Sequence, residues 1–88
     1  MQTYVVVYDI VGQPKDYKKL HECIKAYGRW ARPTESTWLV NTSESAEQIR
    51  DKLLKVIDEN DRLFVVLSGV ESAWKNVRCA NSWLQKYL

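Results

Sequence analysis

The sequence has few of the residues and runs that mark several large classes of protein. Its 88 residues include only three glycines and two prolines, and 45% are hydrophobic, a composition that excludes collagen-like and disordered chains. No apolar run approaches the roughly 20 residues that a membrane-spanning helix needs, and residues 1–3 lack the basic start of a secretory signal. We therefore expect one domain, residues 1–88, located in the cytoplasm and without a membrane partner.

Side chains that bind metals or form disulfides are also scarce. Two cysteines, Cys23 and Cys79, and one histidine, His21, are too few for the ligand set of a structural zinc site. One disulfide is conceivable, but two buried thiols better fit a chain that is not exported. The sequence contains no nucleophile elbow and no glycine-rich phosphate loop. It therefore shows no standard catalytic arrangement.

The spacing of the apolar residues predicts a βαββαβ order. Strands are predicted at 3–10, 29–33, 37–42 and 62–68, and helices at 16–27, before Gly28, and at 46–58, after the capping box Ser45–Gln48. This order is typical of the α+β ferredoxin-like fold, a four-stranded antiparallel sheet with two helices on one face. We expect the first and last strands to lie side by side at its centre. Residues 1–68 would form this core, and a helical tail, with a break allowed near 81–82, would follow at 69–88.

Both faces of the first and last strands are apolar, although two helices cover only one face. The other face needs a second cover, because a contiguous apolar patch is rare on a monomer. Either a second copy of the chain covers it or the tail does, since the tail carries Trp74, Trp83, Leu84 and Tyr87. Of these alternatives we favour a twofold homodimer.

Asp9, at the end of the first strand, is the strongest candidate for chemistry. Its apolar neighbours Val5 and Val7 would disfavour the charged form unless a cation or a hydrogen bond compensates. Two Asp9 side chains, paired by a twofold axis, could hold one Mg²⁺ or Mn²⁺ with waters in the remaining positions. A metal-bound water could then attack a phosphodiester. Asp9 could instead cap the following turn, and Ser36 could either hold a phosphate or only form its own turn.

Positive charge is concentrated in residues 15–32, which carry six basic and two acidic side chains, a net charge of +4. Lys18, Lys19, Arg29 and Arg32 could follow a nucleic-acid backbone. A solvated helix face explains them as well, and the isoelectric point of 8.6 is below that of a dedicated nucleic-acid binder. Trp30, which lies between two of the arginines, is the best candidate for stacking on a base.

Four segments in this order resemble a known group of proteins: the first strand ending in Tyr8-Asp9, the lysine-rich helix, the hairpin with Ser36-Thr37-Trp38, and Asp61-Arg62 before the last strand. Residues 3–68 resemble the small CRISPR-associated proteins that partner the spacer integrase, and the related virulence-associated D ribonucleases. The resemblance implies that Asp9 is a metal ligand at a dimer interface with Ser36 nearby. It also implies metal-dependent cleavage of RNA or DNA.

Two functions follow as alternatives. The first is a homodimeric nuclease dependent on Mg²⁺ or Mn²⁺ that acts on RNA, with Asp9 as ligand, Ser36 as auxiliary and the basic residues on the backbone. The second is a noncatalytic dimeric scaffold that binds nucleic acid or protein. Residues 11–14 replace the basic segment that integrase partners carry after this aspartate, and the tail is predicted to be helical rather than a strand. A stand-alone relative therefore fits better than an integrase partner.

Overall fold

The computed structural model describes residues 1–11 and 17–88, which form a sheet with helices on both of its faces. The elements are β1 (Gln2–Asp9), α1 (Lys18–Lys25), β2 (Trp30–Thr34), β3 (Thr37–Thr42), α2 (Ala46–Leu54), β4 (Arg62–Leu67) and α3 (Asn81–Tyr87). The strand order is β2-β3-β1-β4, and all neighbours are antiparallel. This arrangement confirms the predicted α+β ferredoxin-like fold. None of the helices in the described part of the chain could cross a membrane.

The position of β4 differs from the prediction. β1 and β4 are neighbours, as expected, but the centre of the sheet consists of β1 and β3, and β4 is an edge strand. The reason is that β1 pairs with β3 on its other side, and the β2–β3 hairpin extends the sheet beyond β3. Among the described residues, no strand pairs with the outer edge of β4.

The ends of the first two helices follow local signals. α1 ends before Gly28, whose φ of 84° is the left-handed conformation of a helix stop, while its predicted start at Asp16 lies outside the described residues. At α2 the Ser45 side chain accepts from the Gln48 N–H, and the Gln48 side chain accepts from the Ser45 N–H, which confirms the capping box. α2 ends at Leu54, four residues earlier than predicted, because Lys55 and Val56 bond three residues back in a tight turn.

The main core lies between the sheet and the first two helices. Alternate residues of β1 point into it, and residues of α1 and α2 at spacings of four close it. Its fully or almost fully buried members are Tyr4, Val6, Tyr8, Leu20, Ile24, Trp38, Val40, Ile49 and Leu53. Because Tyr8 is the last of the inward residues on β1, the next residue, Asp9, faces outward.

The tail covers part of the opposite, outer face. Leu84 of α3 is 2% exposed and packs with Ala31 and Leu39. The Thr3 hydroxyl donates to the Tyr87 carbonyl over 2.6 Å and accepts from the Asn41 amide over 3.0 Å. The chain's own tail therefore covers part of this face.

The path of the tail differs from the predicted helix over most of its length. Residues 68–80 contain no helix, and only Asn81–Tyr87 is helical. Asn76 has a φ of 53°, a left-handed conformation that cannot continue a right-handed helix. The Arg78 N–H donates to the Pro33 carbonyl over 3.0 Å, which holds this segment against β2.

The tail leaves a strip of the outer face uncovered, which we call the open flank and define as Val7, Phe64 and Val66. Phe64 is 62% exposed and Val66 is 41% exposed. A groove of about 540 Å³ separates the tail from this strip. The open flank is apolar surface beside Asp9 that a second copy could cover.

The two cysteines are free and half-buried. Cys23 packs against the main core, whereas Cys79 packs with the tail on the other face of the sheet. Because the sheet lies between them, these two residues cannot form the disulfide that the sequence left open.

Candidate functional site

Asp9 is held at the end of β1, directly opposite Arg62, the first residue of β4. The Arg62 Nη1 and Asp9 Oδ2 atoms are 3.2 Å apart, and the two side chains are 70% and 72% exposed. The Asp9 carboxylate is therefore solvated and paired with a cation, and is not enclosed by its apolar neighbours as the sequence argument expected. The arrangement leaves the Asp9 carboxylate accessible to water and ligands on the outer face.

Ser36 lies next to Asp9, as the resemblance implied. It occupies the turn between β2 and β3, and its carbonyl accepts from the Tyr8 N–H at the long distance of 3.5 Å. Together with Tyr8, the two residues line two separate depressions. Asp9 and Ser36 therefore form a ridge with one depression on each side.

The two depressions differ in their walls. The first, which we call the outer depression, has a volume of about 300 Å³ and is completed by Val7, Arg62, Leu63 and Phe64. The second, the aromatic pocket, has a volume of about 210 Å³ and is completed by Ile10, Tyr17, His21, Arg32 and Glu35. The outer depression thus continues into the open flank, whereas the aromatic pocket opens toward α1.

Aromatic rings dominate one wall of the aromatic pocket. The Tyr8 hydroxyl and the His21 Nε2 atom are 2.9 Å apart and share a hydrogen bond. The Tyr17 ring stacks on the His21 ring with 6.0 Å between centroids and 15° between planes. The sequence predicted no role for His21. The signal was its spacing of four from Tyr17, which puts both rings on one face of a helix, together with the position of Tyr8 on the face of β1 that points to the helices.

Arg32 is held at the pocket by the hairpin turn that follows it. Its Nε and Nη2 atoms donate to the Glu35 carbonyl over 2.9 and 2.6 Å. Its guanidinium carbon lies 4.9 Å from the centroid of the Trp38 ring, within the range of a cation–π contact. The positive charge is thus oriented before any ligand arrives.

The other basic candidates fall at two ends of the domain. Lys18 and Lys19 begin α1, directly after Tyr17 of the aromatic pocket, and are exposed. Arg29 precedes β2 at the opposite end, where its Nη1 atom is 3.6 Å from the Met1 sulfur. Since β1 has eight residues and extends about 26 Å, Arg29 does not share a patch with Asp9.

Trp30, the candidate for base stacking, lies opposite Val40 of β3, which in turn lies opposite Tyr4, five residues before Asp9 on β1. Its ring is half-buried, with its centroid 5.2 Å from that of Trp38 and the Lys25 ammonium 5.3 Å above it. Both neighbours belong to the protein, so much of this ring is already in contact. The more exposed ring near Asp9 is Tyr17, which is 37% exposed and which sequence reasoning did not single out.

Asp61 ties together the chain segments around the ridge. Its Oδ1 atom accepts from the Val11 N–H over 3.1 Å, and its Oδ2 atom accepts from the Asp58 N–H over 2.8 Å. These bonds join the exit of β1 to the turn before β4, and so help to position Asp9 and Arg62.

The shifted pKa values belong to a structural cluster around Glu44 at the end of α1. The pKa of Glu44 is lowered, chiefly because Lys52 donates a hydrogen bond to its carboxylate. Burial raises the pKa of Tyr27, whose hydroxyl donates to Glu44 over 2.8 Å, and also raises the pKa of the Cys23 thiol. These contacts join α1 to the segment before α2 and do not reach Asp9.

The donor set around Asp9 could hold a magnesium or manganese ion through one carboxylate from each copy of a dimer. Within residues 1–11 and 17–88, no group of three or more acidic, histidine or cysteine side chains is placed to hold a metal. One protomer supplies the exposed Asp9 carboxylate. Mg²⁺ commonly binds through one or two carboxylates, with water and phosphate oxygens in the other positions. A pair of Asp9 side chains would meet that requirement.

Comparison with known proteins places the chain in a family. The family model described as CRISPR associated protein Cas2 matches residues 1–76 of the chain. The match covers all four strands and both helices of the main core, and α3 lies beyond it. No solved structure matched the chain.

Proposed function

Because the chain belongs to the family of CRISPR associated protein Cas2, whose function is CRISPR-associated and nuclease-like, we propose that it is a homodimeric nuclease that uses Mg²⁺ or Mn²⁺ to cleave RNA. The observation that carries this proposal is the ridge of Asp9 and Ser36 at the end of the open flank. The accessible Asp9 carboxylate and Ser36 lie together there. Arg32, which the Glu35 carbonyl holds in place, lines the aromatic pocket beside them.

Dimerisation is supported by the open flank. A copy related by a twofold axis would bury Phe64 and Val66, which are 62% and 41% exposed in one chain. Such an interface uses the same patch on both copies, so a residue close to the axis meets its own equivalent. Asp9 lies at the end of this patch, and the two carboxylates would approach each other there.

The residues of the chain would then act in distinct ways. The Asp9 pair would hold the metal, which when bound supplies an activated water and stabilises charge on the phosphate. The Ser36 hydroxyl would donate to a phosphate oxygen. Lys18, Lys19 and Arg32 would attract the backbone through charge. Arg29 would reach only a strand that runs the length of the domain, and Trp30 would offer a base only the part of its ring that Trp38 and Lys25 leave uncovered.

The ion pair between Asp9 and Arg62 favours a second candidate function. Arg62 already neutralises the carboxylate, so two copies could associate through these pairs without any metal. This candidate is a noncatalytic dimeric module that binds nucleic acid or protein. Because membership of a family does not establish that a protein is catalytically active, an experiment has to distinguish the two functions.

The decisive assay compares wild type with Asp9→Asn on labelled single-stranded RNA, with Mg²⁺ or Mn²⁺ and with EDTA. We expect wild type to cleave the RNA only in the presence of the metal. The cleavage rate of the variant should be at least about 100-fold lower, since changes that merely disturb metal ligands lower activity by about 10- to 100-fold. Equal activity of both proteins would reveal a contaminant and refute the assignment.

Light scattering after size exclusion completes the test. A dimer without metal-dependent cleavage would establish the noncatalytic module instead. A monomer would contradict both candidates, because the carboxylates would not be paired. Under the nuclease proposal the apolar open flank holds the dimer, so Asp9→Asn should leave its mass unchanged. Dissociation of this variant would contradict that proposal and favour association through the Asp9–Arg62 pairs.

A further inference from the structure

We propose that the aromatic pocket binds one unpaired nucleobase of the strand whose phosphate lies on the ridge of Asp9 and Ser36. This inference rests on the proposed function in one respect, namely that the ligand is single-stranded RNA. It adds how the strand is held. It also assigns a binding role to Tyr17 and His21, two residues that take no part in the cleavage chemistry.

The size and walls of the pocket suit a single flat ring. Its volume of about 210 Å³ is below the roughly 300–1,000 Å³ that holds a drug-sized ligand, so a base fits better than a whole nucleotide. Tyr17 is partly exposed at its wall and is supported from behind by the stacked His21 ring. Stacking on such a ring tolerates every base, because each base has a π face.

The polar groups of the pocket complement the edge of a base. Tyr8 and His21 share a hydrogen bond there, so both side chains are held in place. Arg32 is oriented by Glu35 and Trp38 and brings N–H donors to the same cavity. Carbonyl oxygens and ring nitrogens of bases accept such bonds in single-stranded RNA. A base in a duplex would have its faces and its pairing edge already occupied.

The position of the pocket connects base binding to the ridge. Tyr8, Asp9 and Ser36 line both the aromatic pocket and the outer depression. A base in the pocket therefore brings the phosphate of the same or an adjacent nucleotide to Asp9. The open flank lies on the other side of the ridge, so a second copy placed there would not close the pocket.

Binding is measured in EDTA, which separates it from cleavage, by fluorescence anisotropy with a labelled oligouridine. Tyr17→Leu should bind about 5- to 100-fold more weakly than wild type, the range found for the loss of one base stack. Tyr17→Phe retains the ring and should bind within about 2-fold of wild type. Circular dichroism melting confirms that both variants fold. An abasic strand of equal length should bind wild type more weakly, which tests the pocket with the unaltered protein.

The outcomes distinguish the pocket from the proposed function. Equal affinity of wild type and Tyr17→Leu for oligouridine, or of wild type for the normal and abasic strands, would overturn the pocket even if the RNA is cleaved. Binding that depends on Tyr17 and on the base, without cleavage in either Mg²⁺ or Mn²⁺, would support the pocket and overturn the nuclease. Failure of wild type to bind oligouridine at all would overturn both.

Discussion

The contact of the tail with the outer face can be tested by shortening one side chain. Leu84 of α3 is 2% exposed and packs with Ala31 and Leu39. The Leu84→Ala substitution removes most of this contact and retains a residue that favours helix. The same substitution at Leu54, which is 51% exposed on α2, provides a matched control.

The expected loss of folding stability follows from the burial of Leu84. Leucine-to-alanine changes in cores cost about 2–5 kcal/mol, and the cost depends on how far the surroundings relax into the cavity. The cluster around Leu84 has few fully buried members and a groove beside it, so it can relax. We therefore expect a loss of about 2–3 kcal/mol, which for a domain of this size lowers the Tm by about 8–24 °C.

Urea denaturation and thermal melting measure this effect for both variants. Leu54→Ala should change the free energy of unfolding by less than about 1 kcal/mol, because a surface change away from special contacts costs little. The difference between wild type and Leu84→Ala should not depend on protein concentration, since the contact lies within one chain. Similar losses for the two variants, or a difference that grows on dilution, would refute the placement of the tail.

Three further predictions concern the interface, the metal and pH. Phe64→Asp should dissociate the dimer without unfolding the chain, because this side chain is 62% exposed in one copy; an intact dimer in light scattering would contradict the proposed interface. Arg62→Gln should lower the Mg²⁺ concentration for half-maximal cleavage by about 2- to 5-fold, since an exposed ion pair contributes up to about 1 kcal/mol and its cation competes for Asp9; an unchanged or higher requirement would contradict this competition. The pKa of Glu44 is lowered from 4.5 by its bond to Lys52, so its stabilisation is complete above about pH 4.5 and is lost as the pH falls through the lowered value. Wild type should therefore exceed Glu44→Gln by up to about 1 kcal/mol in urea denaturation at neutral pH and lose this advantage progressively as the medium is made more acidic than pH 4.5. A difference that persists in strong acid would argue against it.

Patterns within a few residues sufficed to predict much of the fold. Short runs of β-branched and aromatic residues located β1 and β4, and the capping box located the start of α2. Gly28 marked the end of α1 because its conformation disfavours other residues. The order of these elements then restricted the topology to the ferredoxin-like arrangement.

The features that depend on distant contacts could not be predicted in this way. The ion pair of Asp9 with Arg62 requires the register between β1 and β4, and the bond of Tyr8 to His21 requires the packing of α1 on the sheet. Each joins side chains that local spacing leaves unrelated. For this reason the sequence pointed to Asp9 but not to the aromatic pocket beside it.

What the sequence alone determined is the set of local elements and the position of one carboxylate at the end of a strand, because both depend on short-range geometry. Only the tertiary structure decided how the outer face is shared between the tail and the open flank. The tail could form a helix or an extended segment with its own residues, and the choice was made by contacts with β2 and with Thr3 at the far end of the chain. Those contacts exist only after the sheet has formed.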